Sequence, residues 1–127
     1  MVKVVASSRW YPTEDVERVR RCLQNIFPDA ELSEEEGKIT GTSTDLSRFK
    51  ELIRNNRILD STRAVMLRGL GEDRISFNMN KQAAFVGKVS FVEGNAPLGH
   101  IEIIINGEEL EALIDDVAPR TVDGEIP

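Results

Sequence analysis

The chain has 127 residues, 40% of them apolar, with 16 Lys and Arg against 22 Asp and Glu for a net charge of -6. That length suits one domain with a real core. The acidic balance argues against bulk attraction to nucleic acid or anionic membranes, while leaving a local basic patch open. A single cysteine makes no intrachain disulfide, and the densest apolar stretch, Ile103-Ile104-Ile105, falls far short of the roughly 20 residues that span a bilayer. With no secretory leader pattern at its start, the chain is expected to be cytoplasmic.

In chain order, residues 2–10 alternate loosely around Val2, Val4 and Val5 and read as a strand. Pro12-Thr13-Glu14-Asp15 reads as a helix start, a hydroxyl cap followed by acids. Val16, Val19, Leu23 and Ile26 follow at helical spacing, and Phe27-Pro28 stops the helix. Short strands near 30–32 and 38–42 flank a hairpin turn at Glu34-Glu35-Glu36-Gly37. Ser43-Thr44-Asp45 opens a second helix with Leu46, Phe49, Leu52 and Ile53 inward. A third is expected over Asp60–Leu70, with Gly69 or Gly71 as terminator.

Ile75, Phe77 and Met79 alternate as a half-buried strand. Asn80–Val86 is ambiguous between one helical turn and a lead-in to a strand at Lys88–Val92. Gly94-Asn95-Ala96-Pro97 turns the chain into a strand over His100–Asn106, with Ile101, Ile103 and Ile105 on one face and Ile104 on the other. Asn106 or Gly107 caps a last helix through Val117, with Leu110, Leu113, Ile114 and Val117 inward. The expected fold is an α+β single-domain sandwich over residues 1–118, a mostly antiparallel sheet with helices packed on one face. Residues 119–127 read as a tail.

Catalytic constellations are scarce. One Cys and one His cannot build a Cys/His zinc cluster. His100 and Glu102 share a strand face, an arrangement open to acid–base work but more simply a partly exposed histidine beside a surface acid. Cys22 falls between Val19 and Ile26 and reads as a small buried hydrophobe. Gly69-Leu70-Gly71-Glu72-Asp73-Arg74 begins like a dinucleotide fingerprint, but follows a helix and ends on Arg. Glu34-Glu35-Glu36 and Asp115-Asp116 lack the alternating oxygen ligands of a calcium loop and read as solvated faces. No metal, cofactor or enzymatic activity is expected.

Charge is unevenly spread. Residues 1–47 hold six basic and nine acidic side chains, net -3. Residues 48–88 hold nine basic and four acidic, net +5, and residues 89–127 hold one basic and nine acidic, net -8. On the second helix Lys50, Arg54 and Arg57 sit at i, i+4, i+7. Lys81 and Lys88 bracket Gln82-Ala83-Ala84-Phe85-Val86-Gly87. A basic stripe near an exposed Phe85 is a platform for single-stranded RNA. The competing reading has the middle segment neutralise the acidic C-terminal third, within the monomer or across a dimer, with Arg54, Arg57 or Arg120 offsetting Asp115 and Asp116. Arg63 lies on the apolar face of the third helix and needs a partner, for which Asp60 is the nearest candidate.

Several phrases carry a resemblance: Pro12-Thr13-Glu14-Asp15, Asn25-Ile26-Phe27-Pro28-Asp29-Ala30, Arg57-Ile58-Leu59-Asp60, Asn80-Lys81-Gln82-Ala83-Ala84-Phe85-Val86-Gly87-Lys88-Val89, Ala96-Pro97-Leu98-Gly99 and Ala118-Pro119-Arg120-Thr121. In this order they resemble the archaeal uncharacterised protein family 0201. The resemblance implies a small cytoplasmic α+β protein similar in fold to large-subunit ribosomal protein five, a homodimer, and an RNA-binding label attached through that fold similarity. It supplies no catalytic set. Ser7-Ser8-Arg9-Trp10 is more polar and bulkier than an apolar first strand of that family.

The expected function is therefore a non-catalytic, homodimeric binding protein. The alternative is RNA binding through Lys50, Arg54, Arg57, Lys81 and Lys88 with Phe85 stacking. Asn80, Lys81, Gln82 and Gly87 serve either as a recognition motif or as a structural turn.

Overall fold

The computed structural model describes residues 2–92 and 100–121. The elements run β1 (Lys3–Arg9), α1 (Val16–Ile26), β2 (Glu31–Glu35), β3 (Lys38–Ser43), α2 (Ser47–Asn55), α3 (Leu59–Arg68), β4 (Arg74–Met79), α4 (Lys81–Phe85), β5 (Ile101–Asn106) and α5 (Leu110–Val117). The five strands form one fully antiparallel sheet in the order β2-β3-β1-β5-β4. The strand period of two sends Val4, Ala6, Ile39, Ile75, Phe77, Met79, Ile101, Ile103 and Ile105 to one face, where all are buried against the helices. Each isoleucine there withdraws a side chain whose burial contributes roughly 1.5–3 kcal/mol. The α+β class and the one-sided helical layer match the expectation from periodicity.

Local chemistry sets the boundaries, and several differ from the expected ones. The first helix is capped by the Asp15 carboxylate, which accepts from the Glu17 N–H at 3.0 Å, rather than by a Thr13 hydroxyl. The hairpin tip is Glu36-Gly37, both at positive φ (45° and 78°), the pairing that lets a two-residue turn follow the twist of its strands. Ser43 stays in β3, and α2 begins only at Ser47. The Asp45 carboxylate, accepting from the Ser47 N–H at 2.8 Å, stabilises that start. Gly69 ends α3 at φ -91°, so left-handed geometry is not its reason. A Cβ there would lie 1.9 Å from the Ser76 carbonyl oxygen, and only glycine permits this approach to β4.

Within Asn80–Val86, helix α4 forms over Lys81–Phe85, with Asn80 and Val86 as its caps. Lys88–Val92 is not a full strand, since only Phe91 bridges to Met79, with the Val92 N–H donating to the Asn78 carbonyl. The last helix starts at Leu110 behind Glu109 in left-handed conformation (φ 53°), not behind Asn106 or Gly107. The expected turn at Gly94–Pro97 and the end of the tail from residue 122 lie outside the described residues. Thr121, at the start of that tail, donates its hydroxyl to the Asp60 carboxylate. Among the described residues no helix is long and apolar enough to cross a membrane.

Candidate nucleic-acid interface

The phrase around Asn80 builds a tightly fastened corner. The Asn80 side chain accepts from the Ala83 N–H at 2.9 Å and caps α4. The Asn25 amide, on α1, donates to the Ala84 and Phe85 carbonyls, both at 2.9 Å, and so satisfies the exposed end of that five-residue helix. Cys22 lies against the same helix, its thiol donating to the Lys81 carbonyl at 3.2 Å, and burial pushes its pKa up to about 11. Gly87 leaves α4 at φ 74°, where an L side chain is strained. Asn80 thus caps α4 and Gly87 ends it, while Gln82 is exposed.

Lys81 is the clearest departure from the sequence reading. Its side chain is only 8% exposed; the ammonium donates to the Arg9 carbonyl at 2.7 Å and pairs with both Glu14 oxygens at 3.2 Å. A buried lysine must be neutralised where it sits, so this charge cannot reach a phosphate. Phe85 is not a free stacking surface either: the Arg18 guanidinium lies 4.3 Å from its ring centroid and that of Arg21 lies 5.9 Å away.

The stripe on α2 also breaks up. The Lys50 ammonium is bonded to Asp116 at 2.9 Å. Arg57 stands beyond the end of α2 at φ 56°, as the left-handed residue of a helix-ending turn in which the Ile58 N–H returns to the Ile53 carbonyl. Arg63 pairs with Asp115 at 2.7 Å and donates to the Ala118 carbonyl at 3.2 Å, while Asp60, its expected partner, takes the Thr121 hydroxyl. Lys50 and Arg63, not Arg54, Arg57 or Arg120, offset the acids at the negative end of α5. The middle segment thus neutralises part of the acidic C-terminal third inside the monomer.

Arg54, Arg57 and Lys88 are exposed and have no ion pair among the described residues. The same holds for Arg18 and Arg21, which the sequence reading passed over because they lie in a segment of net negative charge. Their spacing of three on an amphipathic helix was the available signal. The acids around them are engaged elsewhere: Glu14 with Lys81, and Glu17 and Glu34 with Arg20. The structure therefore brings Phe85 together with Arg18 and Arg21 at the α1–α4 corner, and Lys88 is exposed three residues after the ring. Lys50 and Lys81 are held in internal pairs.

At the start of β5, His100 and Glu102 make no hydrogen bond to each other among the described residues, and the His100 Nδ1 is buried without a partner. No group of three or more His, Cys, Asp or Glu among the described residues is placed to hold a metal ion.

A family model described as RNA binding matches residues 3–107. A UPF0201 protein of Metallosphaera sedula is 38% identical over 132 residues, covering 98% of this chain and 92% of that protein. A protein of Archaeoglobus fulgidus named UPF0200/UPF0201 is 36% identical over 126 residues, and the chain spans only 39% of its length. The crystal structure of a UPF0201 protein from Methanococcus jannaschii superposes with a TM-score of 0.91 at 36% identity, covering 98% of each chain. With the antiparallel sheet, the one-sided helices and the Asn80 corner all in place, this chain belongs to the UPF0201 family of archaeal proteins.

Proposed function

We propose that this chain is a non-catalytic, cytoplasmic RNA-binding protein whose contact surface is the α1–α4 corner, with Arg18, Arg21 and Lys88 facing the phosphates. The observation that carries this is the pair of guanidinium groups set over Phe85 and paired with no carboxylate among the described residues. Screening over about 8 Å at physiological salt makes such a patch matter more than the charge of the whole chain. The RNA-binding description of the matching family model supports the same reading. Binding to a pool of short RNAs at about 50 and 200 mM salt tests it, with an equally acidic protein as control. Three phosphate contacts give a log–log salt slope of roughly -2 to -3. Charge reversal at Arg18 and Arg21 is expected to abolish binding; unchanged affinity in that variant would remove the proposal.

A second observation favours a homodimer. The helix-free face of the sheet has half-buried Val5 and Ile104 paired across its centre, ringed by Ser7, Thr40, Thr42, Asn78 and the exposed carboxylate of Glu102. Charges of both signs lie at its margin, Glu31 and Glu35 on the β2 edge and Arg74 on the β4 edge. An apolar centre inside a polar rim is interface anatomy. A two-fold axis along β1 lays the acidic edge of one copy over the Arg74 edge of the other. Sedimentation should give twice the chain mass, and Val5→Arg with Ile104→Arg should give monomers. A wild-type chain that is monomeric at micromolar concentration would end this reading.

A further inference from the structure

The same surface indicates which RNA it takes, an inference that rests on the RNA-binding reading. We propose that the α1–α4 corner grips double-helical RNA by its sugar–phosphate backbone, without stacking on bases. Proteins that hold single strands offer aromatic faces, each worth about 1–3 kcal/mol per stacked base. This chain has seven aromatic side chains. Phe27, Phe49 and Phe77 are buried, and Trp10, Phe85 and Phe91 are packed against the core. Tyr11 alone is exposed, at 37%, and the Lys81 ammonium lies 5.7 Å from its ring centroid. The one aromatic in the basic patch, Phe85, already has Arg18 over its face.

What the surface does offer suits a duplex. Arg18, Arg21 and Gln24 recur every three residues along the exposed side of α1, and Gln82 is exposed on α4. Arg18 to Gln24 covers about 9 Å along the helix axis, so the stripe runs along a backbone rather than capping a single phosphate. Double-stranded RNA is recognised by shape, through phosphates and 2′-hydroxyls across its shallow minor groove. Guanidinium groups serve the first and glutamine amides the second. The corner is also rigid. Asn25 and Cys22 fasten α4 to α1, and the Phe85 ring supports the Arg18 guanidinium, so ordering these groups on binding costs little entropy.

Fluorescence anisotropy with the full chain tests the assignment, using an RNA hairpin with a stem of about 16 base pairs, its unpaired strand, and a DNA duplex of the same sequence. The RNA duplex is expected to bind at least tenfold tighter than the single strand or the DNA, with less than threefold change when the stem sequence is scrambled. Arg18→Ala with Arg21→Ala should weaken the duplex complex at least tenfold, and Gln24→Ala with Gln82→Ala should narrow the margin over DNA. Single-strand affinity equal to or above that of the duplex, or equal binding of DNA, overturns the duplex assignment and leaves the RNA-binding reading standing. Failure of every RNA to bind at low salt overturns the RNA-binding reading itself.

Discussion

Two regions of this molecule use cations in opposite ways. At the seam between α2, α3 and α5, Lys50 and Arg63 are spent on Asp116 and Asp115, which takes two cations of the basic middle segment into internal pairs and leaves Arg54 and Arg57 exposed. At the α1–α4 corner one cation, Lys81, is buried against Glu14, and this frees the surface above it to keep Arg18 and Arg21 unneutralised. Linear charge density pointed to the first region, yet the second keeps its charge. What matters is the charge left after the fold has paired what it can.

The sharpest way to break the corner is Lys81→Met, which strands Glu14 beside the Arg9 carbonyl. Removing one partner of a buried pair costs about 3–5 kcal/mol. Urea unfolding should show a loss near the lower end of that range, because Glu14 keeps 16% exposure. The double variant Lys81→Met with Glu14→Gln should recover much of the loss. Equal losses in the two variants would mean that the pair matters only for packing.

The comparison between regions sharpens with charge reversal on each side. Arg18→Glu should weaken RNA binding tenfold or more. Lys50→Glu, at a site already neutralised, should change it less than threefold and cost under about 1 kcal/mol of stability, as exposed pairs do. Equal effects on binding would mean that the two regions form one surface.

Cys22 gives a pH test of the corner's packing. Burial holds its thiol pKa at about 11 against an ordinary 9.0, so the unfolded chain loses this proton first. The stability it contributes is complete below pH 9 and is lost as pH rises toward 11. The fall in urea midpoint over that window should be shallower in Cys22→Ala than in the wild type. The same burial predicts slow alkylation of the native thiol at pH 8.

The smallest expected effect is at Arg57. A non-glycine residue at φ 56° carries about 1 kcal/mol of strain. Arg57→Gly should therefore be neutral or slightly stabilising in thermal unfolding, and a marked loss would show that its side chain holds the α2–α3 turn.

Much of the architecture was legible because periodicity is a local property. Ile101, Ile103 and Ile105, or Val19, Leu23 and Ile26, announce their faces without reference to anything distant. Caps were less legible: Thr13, Ser43 and Asp45 all carry oxygens able to cap, and which one does so depends on where the strand before the helix stops. The candidate surface was the hardest part. Phe85 and Lys88 were visible as a basic and aromatic phrase, but nothing near Lys81 in the chain shows that its partners are Glu14 and the Arg9 carbonyl, some seventy residues earlier. Arg18 and Arg21 were hidden by the acids around them, of which Glu14, Glu17 and Glu34 pair with Lys81 and Arg20 only once the chain has folded.

The sequence by itself determined the class, most of the elements, the inward faces and the family, since apolar spacing and short motifs act over a few residues. Only the tertiary structure decided which of the sixteen basic side chains remain available. Ion pairing falls off over a few ångströms in space and takes no account of separation along the chain.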